Sequence, residues 1–215
     1  MIKYVGIGHK ARQGKTLLAE AMVEASGGKI KTYALAEELK QYCAAHHEEL
    51  FKKYPEVPKL KKEDPIYGYV AMLQHYGTNV VRAENPNHWV EVLEQKIEAE
   101  QPEVALITDI RFPNEAALVR NKEGLLLRLR RMTGDTQYID PTRSAQHPSE
   151  IGLDTFLDWD ILLDVQDGKM EELKQAGRLL TEIILNASET GVLRFMPGAS
   201  LPDVNPDSDA TGFKD

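Results

Sequence analysis

The stretch Tyr4-Val5-Gly6-Ile7-Gly8-His9-Lys10-Ala11-Arg12-Gln13-Gly14-Lys15-Thr16-Leu17-Leu18 decides the fold. The apolar run from Ile2 to Ile7 reads as a buried strand. The far end opens a helix with Leu17, Leu18, Ala21, Met22 and Ala25 on one face. Between them lies a glycine-bounded loop, and a strand, loop and helix in that order let backbone N–H groups at the helix start converge on a phosphate. Lys15 would add a fixed positive charge on the β- and γ-phosphates, and the Thr16 hydroxyl would hold Mg²⁺. Gly8, His9, Lys10, Ala11, Arg12, Gln13, Gly14, Lys15 and Thr16 are therefore the candidate ATP-binding residues. The usual pattern sets its first glycine where this chain has His9, so Gly8 stands one residue early. Either the loop is one residue longer or a non-glycine serves at its entrance. Gly6-Ile7-Gly8-His9-Lys10-Ala11 also fits a dinucleotide fingerprint, G-x-G-x-x-A. That reading leaves Gly14-Lys15-Thr16 unexplained and finds Ala34-Leu35-Ala36 where a ribose-binding acid should stand.

Working outward, further apolar runs at Ile30–Ala34, Val104–Thr108, Leu125–Leu129 and Trp159–Val165 read as strands separated by helical patterns. That alternation is the signature of a largely parallel α/β sheet covered on both faces. A last helix carries Met170, Leu173, Leu180 and Ile184 at helical spacing. Tyr54 to Tyr67, rich in Pro and Lys, reads as a loop. From Ala187 onward periodicity is lost among Pro, Gly, Ser and Asp, which predicts an acidic, poorly ordered tail over 187–215 and one domain over 1–186.

Val104-Ala105-Leu106-Ile107-Thr108-Asp109 places a carboxylate at the C-terminal end of a strand, where ligands sit in open α/β sheets. Asp109 is a candidate to hold Mg²⁺ or to accept a proton, and Arg111 to clamp an acceptor phosphate. The alternative makes Asp109 the cap of a helix starting near Pro113, paired with Arg111. Arg128, Arg130, Arg131 and Arg143 gather around the fourth strand and beyond it, and such runs often face solvent. The polar segment Thr133–Ser149 reads as a lid, whose arginine would stabilise charge developing during phosphoryl transfer. His46-His47-Glu48-Glu49 lacks metal-site spacing, and Trp89 and Trp159 read as core residues.

The chain has 215 residues, a formal charge of -8 and one cysteine, Cys43. The charge argues against a broad nucleic-acid surface, because duplex affinity draws on Lys and Arg neutralising phosphates. One cysteine excludes an internal disulfide and a cysteine zinc cluster. Neither a signal peptide nor a membrane-length apolar stretch is visible, so a cytoplasmic protein is expected.

Four stretches resemble the phage deoxynucleoside monophosphate kinases: Gly8 to Thr16; Leu73 to Thr78 with Arg82 and Trp89; Ile107-Thr108-Asp109-Ile110-Arg111-Phe112-Pro113-Asn114-Glu115; and His147 to Glu150 leading to Trp159-Asp160. The family commonly has Asp where this chain has Thr16. The resemblance implies a P-loop, three-layer fold with a five-stranded parallel sheet, a helical acceptor-binding insertion over about 37–100 and a lid over about 131–150. It implies ATP and Mg²⁺ as cosubstrates and a deoxynucleoside monophosphate as acceptor, in the host cytoplasm. Lys15 and Thr16 would serve ATP and metal; Arg82, Arg111 and Asp109 would face the acceptor, with Trp89 beside them; Arg143 would act from the lid. A related chemistry, phosphorylation of a hydroxymethylpyrimidine in DNA, would use the same parts. Base preference and oligomeric state, a homodimer included, are not legible.

Overall fold

The computed structural model describes residues 3–57, 70–141 and 144–190. Its strands are β1 (Tyr4–Gly8), β2 (Ile30–Tyr33), β3 (Val104–Ile110), β4 (Leu125–Thr133), β5 (Thr136–Gln137) and β6 (Ile161–Gln166). β1 is buried along its whole length because it lies mid-sheet, between β3 and β4 and parallel to both. β2 extends the sheet beyond β3 and β6 extends it beyond β4, again in parallel. The parallel order is therefore β2-β3-β1-β4-β6, and the two-residue β5 turns back antiparallel on the end of β4.

The pleat of β1 divides the core in two. Val5 and Ile7 face α1 (Lys15–Ala25) and α9 (Met170–Thr190), where Leu18, Met22, Leu173, Leu180 and Ile184 close one apolar layer. Tyr4 on the other face joins Ala105, Ile107 and Leu126 against Trp89, Leu93 and Ile97 of α6 (His88–Glu100) and Ala116 and Val119 of α7 (Pro113–Asn121). A sheet of mainly parallel strands with helices on both faces is the α/β class that the alternating pattern predicts.

β4 runs past Leu129, where its apolar run ends. Ion pairs take over from packing there: Arg130 bonds to Asp164 of β6, and Arg131 Nε lies 2.8 Å from Asp167 Oδ1. The start of the expected lid is thus sheet and hairpin. The insertion is helical in its described parts: α2 (Glu37–Ala45), α3 (His47–Lys53), α4 (Val70–Gln74), a π-helical turn (His75–Val81) and α5 (Arg82–Glu84) precede α6. The short α8 (Pro148–Ile151) follows the hairpin. α9 continues to Thr190, past the expected boundary at 186. Arg143, residues 58–67 of the expected loop and residues 191–215 of the expected tail lie outside the described residues. No described helix is long and apolar enough to cross a membrane.

Candidate functional site

β1 ends at Gly8, where the edge of the Trp159 ring lies so close that a β-carbon would stand 2.5 Å from it. The chain then wraps through His9 to Gln13 and reaches Gly14, whose φ of 100° suits glycine and starts α1. No side chain caps that helix start. Lys15 is buried and its ammonium folds back onto the carbonyls of His9 (3.5 Å) and Lys10. Thr16 is exposed in the first turn.

Acidic groups hold the loop in shape. Lys10 Nζ donates to Glu150 O (2.7 Å) and to Asp154 Oδ1 (2.5 Å), and Arg12 Nε lies 3.0 Å from the buried Asp140. The Gln13 amide is a hub. Its Nε2 donates to Ala11 O (2.9 Å) and Tyr138 O (3.0 Å), while its Oε1 accepts from Arg131 N (2.9 Å) and Gln137 Nε2 (3.0 Å). The β4–β5 hairpin is thereby tied to the loop. Burial, and then the Lys10 ammonium, hold His9 down at about 4, so its ring is neutral at pH 7.

A second cleft of about 200 Å³ opens on the C-terminal edge of β3. Asp109 lines it, its two carboxylate oxygens accepting N–H groups of Leu35 (2.7 Å) and Ala36 (3.0 Å). Asp109 is therefore not the cap of α7. It fixes the turn after β2, whereas α7 begins on Glu115, whose Oε2 accepts from Arg111 N (2.6 Å) and Phe112 N (3.0 Å). Arg111 pairs with Glu150 at 3.0 Å. Arg82 enters from the insertion, bonds to Glu115 and to Pro86 O (3.1 Å), and stacks 4.2 Å from the Phe112 ring centre. Trp89 is buried on the same wall, donating its indole N–H to Gly77 O (3.1 Å). The structure thus brings Arg82, Trp89, Asp109 and Arg111 to one cleft, with the Gly8–Thr16 loop linked to it through Glu150.

Larger hollows of about 460 Å³ beside β2, lined by the Lys31–Glu100 and Lys96–Glu38 pairs, and of about 620 Å³ at the opposite end of the sheet carry no arginine. No cluster of metal-ligating side chains occurs among the described residues.

The sequence reading missed two buried carboxylates. Glu150 joins the clefts: Oε2 accepts from Ala11 N in the loop (3.1 Å) and Oε1 from Arg111 (3.0 Å). Its sequence signals are its place in the first turn after His147-Pro148 and its membership of the His147–Glu150 stretch, neither of which marks it as buried. Glu115 is fully enclosed, and burial pushes it up to about 7 against the pull of Arg82, with nearby Asp109 pushing the same way. Its position three residues after Phe112 is the N3 site of a capping box, a legible signal for the cap but not for the burial.

Fold and site together define an α/β protein whose ligand edge carries a glycine-bounded loop at a helix start beside an arginine-lined cleft. Over 102 residues the chain is 35% identical to the deoxynucleoside-5'-monophosphate kinase of Escherichia phage T5, a match covering 43% of this chain and 39% of that protein. The chain therefore spans about two-fifths of the length of that curated relative. Among solved structures, an unliganded sugar kinase from Janibacter sp. is similar at a TM-score of 0.45 and 12% identity, over 87% of this chain and 98% of that one. No family model matches the chain.

Proposed function

We propose that this chain is a phosphotransferase that moves the γ-phosphate of ATP onto a deoxynucleoside monophosphate. The observation that carries this reading is the pairing of two anion-adapted sites on one sheet edge, joined through Glu150. The relative's name supports a nucleotide as acceptor.

In this reading the loop N–H groups and Lys15 hold the ATP phosphates, Lys15 leaving the carbonyls it now contacts. Arg82 and Arg111 hold the acceptor phosphate, their glutamate partners fixing each guanidinium plane. An acceptor phosphate oxygen bonds to the γ-phosphorus, and the bond from that phosphorus to the bridging oxygen breaks, leaving ADP. The oxygen donors that would hold a hard cation in this reading are the exposed Thr16 hydroxyl and the Asp109 carboxylate, whose oxygens each accept one N–H and retain lone pairs. Mg²⁺ held there would neutralise charge on the transferring phosphate.

The test is a phosphotransfer panel with ATP, Mg²⁺ and each nucleoside and deoxynucleoside monophosphate, beside a simple sugar and a DNA bearing hydroxymethylpyrimidine. ADP release matched by nucleoside diphosphate is expected. Turnover only with the sugar or the DNA would overturn the acceptor assignment, and no turnover with any of them would overturn the kinase reading.

A further inference from the structure

We infer that Gln74 reads the base of the acceptor nucleotide, an inference that rests on the acceptor assignment above. Gln74 closes α4 where the backbone widens into the π-helical turn, and it lines the second cleft with Leu39, Leu73 and Trp89. π-turns recur at functional sites because the widened backbone re-aims the side chains it carries. Gly77 in the same turn lets Leu39 close against it, since a β-carbon there would lie 2.4 Å from Leu39 Cδ2. Around Gln74 the lining is apolar at Leu35, Leu39, Leu73 and Trp89, and Thr78 lines the same cleft.

The polar groups around the cleft divide into two kinds. Arg82, Arg111, Asp109 and Glu115 are all bonded to protein. Gln74 Nε2 is shielded from solvent yet has no hydrogen-bond partner among the described residues. A desolvated donor left without a partner is unfavourable, so a ligand that supplies the acceptor is selected for. An amide presents a donor and an acceptor side by side, and can turn over to exchange them. Nucleobase edges display adjacent donors and acceptors, whereas a phosphate offers acceptors only and is already matched to the arginines. The apolar side chains beside Gln74 suit the face of a ring whose edge the amide meets.

Two comparisons, made with the full chain, test this. Wild type should take an acceptor monophosphate with an unsubstituted purine at a KM roughly tenfold or more above that for the adenine or guanine nucleotide, as a bidentate base contact implies. Gln74→Met, which keeps the length and loses the amide, should raise the KM for the natural nucleotide by a similar factor. It should no longer distinguish the natural base from the stripped one, and the KM for ATP should not move. A structural role alone would penalise both acceptors equally. If wild type phosphorylates nucleoside monophosphates but ignores the base edge, or if Gln74→Met keeps the discrimination, the inference is overturned while the kinase reading stands. If wild type phosphorylates no nucleotide, the acceptor assignment on which this inference rests has itself failed. Should Gln74→Met not fold, Gln74→Glu replaces it: it keeps the acceptor, turns the donor into a second acceptor, and should change the ranking of the bases. An unchanged ranking would overturn the inference.

Discussion

Arg82 and Arg111 reach one cleft from different segments, and each has part of its guanidinium committed to a buried glutamate. Replacing either with Lys keeps the charge but loses the planar fork that can bond protein and ligand together. Arg82→Lys and Arg111→Lys are expected to raise the KM for the nucleoside monophosphate about tenfold or more, the scale of one charge-assisted bond, with little change for ATP. The double variant should lose less than the product of the single losses, since both arginines grip one ligand. Steady-state kinetics with each substrate varied in turn decide this, and a rise confined to ATP would move the arginines to the donor side. Lys15→Ala is expected to lower turnover by about a hundredfold or more while the chain still folds, because Lys15 supplies the charge on the transferring phosphate. Near-normal turnover would remove Lys15 from that role. Lys15 and Arg111 stand out in the sequence by motif spacing, and Arg82 only through the family resemblance. Their partners do not stand out. Glu115 and Glu150 act through burial and contacts with distant segments, and nothing local in a sequence marks a carboxylate as enclosed.

The elements show the same division. Five strands were legible as short apolar runs, since a strand buried on both faces needs apolar residues throughout. Their order was not, because it depends on which crossover packs where. β5 is two residues long, and Arg130 and Arg131 read as a solvated charge run although their acidic partners carry β4 onward. The hairpin they form is held to the loop by Gln13. Gln13→Ala would leave Arg131 N–H without its partner and free the hairpin, at a cost of about 1–3 kcal/mol. Faster amide exchange at Arg131, a lower melting temperature and a higher KM for ATP are the expected outcomes. Unchanged exchange at Arg131 would show that the hairpin is held by its own turn. Glu150→Gln tests the link between clefts. It keeps the shape but weakens one bond on each side, so the KM values for ATP and for the acceptor should both rise. A change in only one would separate the two sites.

At the scale of the whole molecule, the two clefts set opposite dependences of stability on pH. His9 is held at about 4 against an ordinary 6.5, so between those values the unfolded chain binds more protons at this position. Its contribution to stability is complete above about 6.5 and is lost as pH falls towards 4. Glu115 is raised from 4.5 to about 7, so between those values the folded chain binds more protons. Its contribution is complete below about 4.5 and is lost as pH rises towards 7. The windows overlap between about 4.5 and 6.5, and there the two slopes oppose each other in wild type. Removing either group should expose the other. Relative to wild type, Glu115→Gln is expected to gain stability as pH rises through this window, and His9→Gln to gain it as pH falls. Shifts of this size correspond to on the order of 1–3 kcal/mol across each difference curve. The slope is the quantity to read. In this window the folded chain holds Glu115 mostly protonated, so Glu115→Gln removes no charged partner from Arg82 there, and the pull of Arg82 on the carboxylate is already contained in the value of about 7. Titrations common to all three proteins cancel in the differences. Thermal or urea unfolding of wild type and both variants at half-unit steps would show two difference curves of opposite slope. Flat curves would mean that neither buried group titrates differently in the folded chain, and the enclosure of the loop entrance and of the acceptor cleft would then be looser than the structure places it.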